Sequence, residues 1–80
     1  MAKLPPLTCR QVKAALKDAG FEERKGNGSS HEKWVKTGEN TRWIVTVDCP
    51  KAPFSKDLIK SMAKQAGMST KDFHELCARY

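Results

Sequence analysis

The residues best suited to chemistry lie in Gly28-Ser29-Ser30-His31-Glu32-Lys33-Trp34. A histidine can accept a proton near neutral pH, and a lysine ammonium can hold a phosphate. In a strand, side chains alternate between faces. His31, Lys33 and Val35 then share one face, and Glu32, Trp34 and Lys36 share the other. Trp34 marks its own face as the core side. His31 and Lys33 therefore point outward together, roughly 6–7 Å apart along the strand. A proton acceptor beside a phosphate-holding cation suits the cleavage of an RNA phosphodiester. An exposed histidine at the start of a strand is more often a plain solvated side chain, so the rest of the chain must support the assignment.

Several neighbours could assist. The turn Gly26-Asn27-Gly28-Ser29 precedes the strand, and backbone N–H groups of such turns hold phosphates, which makes Gly28, Ser29 and Ser30 candidates. Arg24, Lys25, Lys36 and Arg42 are secondary candidates for contact with an RNA backbone, although for each a solvated surface charge is the commoner role. Lys13 and Lys17, four apart on a helix, could do the same. Trp34 and Trp43 could stack on bases, but their alternation with polar residues favours the core.

The elements that must hold these residues can be traced from local signals. Pro5-Pro6 blocks a helix at the start. Thr8-Cys9-Arg10-Gln11 fits a capping box, and Val12, Ala15, Leu16 and Ala19 form the apolar stripe of a first helix that Gly20 ends. A short strand follows, anchored by Phe21. The second strand runs from about His31 to Thr37, and Gly38-Glu39-Asn40 makes a hairpin turn. The third runs from about Thr41 to Val47, with Trp43, Val45 and Val47 on one face. Asp48 to Phe54, with Pro50 and Pro53, reads as a connection. Ser55 opens a second helix, from about Lys56 to Ala66, with Leu58, Ile59, Met62, Ala63 and Ala66 as its stripe. Ser69 or Thr70 caps a short last helix with Phe73 and Leu76, and Cys77 as a further candidate for its apolar side; His74 in this helix is expected on the surface.

The order α-β-β-β-α predicts an α+β domain over residues 1–80. Its three-stranded antiparallel sheet is covered on one face by two helices, as in double-stranded-RNA-binding domains, and a short C-terminal helix follows. The chain has 80 residues, a net charge of +6, 39% hydrophobic and 30% charged residues. That composition describes a small globular domain with a preference for a polyanion or an acidic protein. No apolar run approaches membrane-spanning length, and no signal-peptide pattern opens the chain, so a cytoplasmic protein is expected. Cys9, Cys49 and Cys77 are widely spaced without a CxxC pair. Three reduced thiols are the expectation, with neither a disulfide framework nor a zinc motif, and no metal or cofactor.

Taken in order, these pieces resemble the HicA family, the YcfA-like toxins of bacterial toxin–antitoxin modules. The resemblance spans nearly the whole chain. It rests on Ala19-Gly20-Phe21 at the end of the first helix, Gly28-Ser29-Ser30-His31-Glu32-Lys33, Val45-Thr46-Val47, and Lys64-Gln65-Ala66-Gly67-Met68-Ser69. It implies a ribonuclease with a fold like the double-stranded-RNA-binding domain, which cleaves mRNA independently of the ribosome. It also implies a HicB antitoxin that occludes the active site. The family's catalytic histidine matches His31. The Pro-x-His segment that many members carry after the third strand is replaced here by Asp48-Cys49-Pro50-Lys51, so no second histidine stands there.

The expected chemistry needs no metal. RNA supplies the 2′-hydroxyl nucleophile, His31 acts as base or acid, and Lys33 clamps the phosphate. The like charge of Lys33 favours the neutral, base-competent imidazole. One histidine cannot readily serve as both base and acid, so slow turnover is expected. The expected partners are mRNA and a HicB-type antitoxin over the His31 face, with no membrane and no DNA bound by the toxin alone. A non-catalytic RNA-binding module of the same fold is the main rival, and a basic adaptor for an acidic protein is another.

Overall fold

The computed structural model describes residues 5–25 and 31–80, except for the side chains of Lys25 and His31. The elements run α1 (Cys9–Asp18), β1 (Glu22–Lys25), β2 (His31–Thr37), β3 (Arg42–Asp48), a 3-10 turn (Cys49–Lys51), α2 (Lys56–Gln65) and α3 (Thr70–Ala78). The expected α+β layout is present, with a sheet in the order β1-β2-β3 and both pairings antiparallel.

Local chemistry accounts for most of the helix ends; Ser55 occupies the N-cap position of α2 but makes no side-chain capping hydrogen bond. At α1 the Thr8 hydroxyl accepts from the Gln11 backbone N–H at 3.1 Å, and the Gln11 side-chain oxygen accepts from the Thr8 N–H at 2.9 Å. This reciprocal pair satisfies two donors that a helix start leaves open. Beyond the last turn, Gly20 takes φ +97°, a conformation that costs glycine least. Gly67 does the same after α2 at φ +74°. Ser69 caps α3, its hydroxyl accepting from the Asp72 N–H at 3.1 Å.

The apolar stripes close over one face of the sheet. Val12, Ala15 and Leu16 from α1, Ile59, Met62 and Ala63 from α2, and Phe73 and Cys77 from α3 meet Phe21, Trp34, Val45 and Val47. Leu7 and Phe54 join them through an isolated bridge, in which the Phe54 N–H donates to the Leu7 carbonyl at 2.7 Å.

The C-terminal helix is present as expected: α3 has nine residues and buries Phe73, His74 and Cys77. Other expectations require correction. His74 is not a surface residue. It is 9% exposed, and its Nε2 lies 2.9 Å from the Pro5 carbonyl oxygen. A buried imidazole needs such a partner, and only the folded chain brings the N-terminal segment alongside α3. Trp43 keeps the expected face but sits at its rim, 38% exposed, with its ring against Gly67 so closely that a Cβ there would lie 2.9 Å from it. Finally, Cys9 and Cys49 form a disulfide, their Cα atoms 5.3 Å apart and their positions 40 apart in the chain. Cys77 alone is a free thiol.

Candidate active site

β2 lies between β1 and β3, so its outward side chains have neighbours on both sides. The register sets Arg24, Lys33 and Thr46 in one row across the sheet, and Glu22, Val35 and Ile44 in the next. Thr37 faces Arg42, and His31 faces Asp48. Burial along β3 confirms the alternation: Val45 and Val47 are buried, while Arg42 and Ile44 are exposed. The outward face of the sheet therefore carries Arg24, Lys33 and Arg42 as exposed cations. Among the described residues no ion pair holds any of the three. Two cations directly opposite one another, as at Arg24 and Lys33, oppose pairing of their strands.

The same face has an apolar element. Val35 is only 7% exposed because it sits between Glu22 and Ile44, whereas Ile44 is 42% exposed.

The pairing geometry at His31 follows from a neighbour. The Thr46 N–H donates to the Gln65 side-chain oxygen of α2 at 3.0 Å, so it points away from β2. Lys33 and Thr46 are thus a pair without mutual backbone hydrogen bonds. Such pairs alternate along an antiparallel ladder, which puts His31 and Asp48 in the same class, with Cα atoms about 4.5 Å apart. Asp48 is half-buried, and one of its carboxylate oxygens lies 3.8 Å from Lys51 Nζ.

The covered face behaves differently. Lys36 shares the side of Trp34, its Nζ lying 5.9 Å from the centre of the Phe21 ring. Lys13 Nζ reaches Glu32 Oε1 at 3.0 Å, so Lys13 is engaged inside the fold rather than free for a phosphate. Glu32 Oε2 lies 3.1 Å from Cys49 Sγ. Trp34 is 5% exposed and serves as core; its buried indole N–H has no hydrogen-bond partner among the described residues.

Of the residues selected by sequence, the register therefore aligns Lys33 and Arg24 in one row and puts Arg42 on the same side. Lys36 stands apart on the opposite side. Gly28, Ser29 and Ser30 lie outside the described residues, as does the His31 side chain. Sequence reasoning missed Asp48, which was assigned to the connection. Counting back from the turn closed by the Gly38 N–H and the Thr41 carbonyl at 2.7 Å puts Asp48 opposite His31. Sequence reasoning also missed the grouping of Cys9, Glu32 and Cys49, whose donor atoms lie within 4.8 Å of one another. Those are ligand types that zinc takes, but here the two sulfurs are bonded to each other.

A three-stranded antiparallel sheet with helices on one face and cations on the other defines a small module suited to a polyanion. Residues 9–68 match the family model described as the HicA toxin of bacterial toxin–antitoxin modules, and the chain belongs to that family. The match covers α1 through the end of α2, including His31, Lys33 and Asp48, while α3 lies beyond it. No curated protein and no solved structure matches the chain. No described helix is long and apolar enough to cross a membrane.

Proposed function

We propose that this toxin is a ribosome-independent mRNA endoribonuclease whose open sheet face is the active surface, with His31 as its catalytic residue. The observation that carries the reading is the register of β2. It aligns Lys33 with Arg24 on an exposed face and sets position 31 on the same side, opposite Asp48.

The reaction needs three services. His31 takes the proton from a ribose 2′-hydroxyl as that oxygen bonds to phosphorus. Lys33 balances the charge that grows on the phosphoryl oxygens. The bond from phosphorus to the 5′-oxygen breaks, and that oxygen takes a proton from the imidazolium or from water. The products are a 2′,3′-cyclic phosphate and a free 5′-hydroxyl. Asp48 supplies a carboxylate opposite position 31 in the register. Arg24 and Arg42 track the RNA backbone, and Gly28, Ser29 and Ser30 add donors from the turn.

The same face suits a HicB-type antitoxin. Its cations attract an acidic surface, and the exposed Ile44 gives that surface something apolar to cover. Inhibition is then exclusion of RNA, in the cytoplasm where mRNA is met. The experiment is cleavage of an end-labelled transcript in excess EDTA. Cyclic-phosphate ends formed under those conditions are the expected result. Products with 5′-phosphates that appear only with Mg²⁺ contradict the reaction. Salt-dependent binding without cleavage favours the plain RNA-binding module.

A further inference from the structure

The Cys9–Cys49 bond joins two places that matter to each other. Cys9 is the first residue of α1, and Cys49 follows β3 directly after Asp48. The loop closed by the bond contains all three strands. Both cysteines are half-buried, within reach of small molecules, whereas Cys77 is fully buried between α3 and the core. Beside the two sulfurs lies the carboxylate of Glu32, a β2 residue adjacent in sequence to His31 and paired with Lys13 at 3.0 Å. A disulfide sulfur has no proton to donate, so the 3.1 Å approach of Cys49 Sγ to Glu32 Oε2 becomes a hydrogen bond only in the dithiol form.

We propose that Cys9 and Cys49 form a reversible thiol–disulfide modification site, oxidised by low-molecular-weight disulfides of the glutathione class, with Glu32 as the acceptor of the Cys49 proton. The chemistry balances as two protein thiols plus one small disulfide giving the protein disulfide plus two small thiols. Cys9 attacks the small disulfide as its thiolate, and the first small thiol leaves with the proton that Cys9 gave up. Cys49 then passes its proton to Glu32 and its sulfur attacks Cys9 Sγ, breaking the mixed disulfide; the second small thiolate leaves and takes that proton back from Glu32. The bond ties the first turn of α1 to the end of β3, beside the pair His31–Asp48. Reduction leaves α1 and that end of the sheet joined by packing and by the Lys13–Glu32 ion pair, with no covalent cross-link between them. Burial raises the Cys77 thiol from 9.0 to about 12, which keeps it out of the exchange.

The test uses the whole chain equilibrated in glutathione buffers of rising oxidised fraction, with thiols counted after denaturation and thermal melting measured at each point. The site predicts one thiol in the oxidised protein and three in the reduced, interconverting reversibly. Closing so long a loop predicts a melting point higher by about 10 °C or more in the oxidised form. Hydrogen exchange on reduction should speed up most at residues 44–51 and in the first turn of α1. Wild-type protein carries every one of these measurements, and Cys49→Ser, if it folds, should melt like the reduced form. A melting point unchanged by reduction overturns the proposal. So does a mixed disulfide that persists at equilibrium, or zinc that holds both thiols of the reduced protein against oxidation. None of these readouts depends on RNA cleavage, so failure of the ribonuclease reading would be seen separately.

Discussion

The two faces of the sheet are built from the same strands and obey opposite rules. On the covered face every second residue meets a helix. Trp34, Val45 and Val47 are buried there, the carboxylate of Glu32 is paired with Lys13, and the ammonium of Lys36 lies over the Phe21 ring. On the open face, one residue out of step, Arg24, Lys33 and Arg42 are exposed cations without ion pairs among the described residues. A charge near a core is tolerated when it is matched. Like charges facing one another on a sheet surface, as at Arg24 and Lys33, oppose the pairing of their strands and can be matched from outside by a polyanion. The contrast distinguishes side chains that hold the fold from those available for an external partner.

The contrast predicts effects of different kind as well as size. Trp34→Ala should cost about 3–5 kcal/mol of stability, because it empties a large volume from a packed core. Urea unfolding will show this, and a loss below about 1 kcal/mol would mean that the covered face is not the core. Lys33→Ala should leave the urea midpoint in place and slow cleavage on the order of 10²-fold, the usual cost of removing one charge-stabilising donor.

An alkaline titration probes the covered side through Cys77. Burial holds its thiol protonated, with its pKa raised from 9.0 to about 12. The folded state therefore binds this proton more tightly than the unfolded state. The resulting stability is fully present below pH 9 and is lost toward pH 12, by at most about 1.4 kcal/mol per pH unit. Stability measured across that window should fall less steeply in Cys77→Ala than in wild type. Parallel curves would place the thiol in a more solvated setting.

Arg24→Ala and Arg42→Ala should each reduce the slope of log affinity for single-stranded RNA against log salt by about 0.7, the share of one phosphate contact. Lys36→Ala, on the wrong side of the sheet, should leave that slope unchanged. A slope altered by Lys36 and not by Arg24 would reverse the assignment of faces.

Local chemistry made much of this legible in advance. The Thr8–Gln11 capping box, the glycine stops at Gly20 and Gly67, and the parity of β2 and β3 are written within a few residues each, and the structure has them as expected. What could not be read depends on the meeting of distant segments. The Cys9–Cys49 bond spans 40 positions, and the hydrogen bond between His74 and Pro5 spans 69. No periodicity encodes either. Trp43 shows the limit of parity, which assigns a face but not a depth: the sheet edge and Gly67 leave its ring 38% exposed. Asp48 was within reach of sequence, since the hairpin turn fixes the register. It was missed because Pro50 drew the boundary of the strand too early.

The open face as the active face is tested most directly by His31→Ala, with RNA binding and cleavage measured on the same protein. Binding should stay within a few-fold of wild type, because Lys33, Arg24 and Arg42 remain. Stability should change by no more than about 0.5 kcal/mol, as for a surface substitution. Cleavage in excess EDTA should fall by about 10²–10⁴-fold, the contribution of a positioned acid or base. A folded His31→Ala protein that cuts RNA at the wild-type rate would contradict the account.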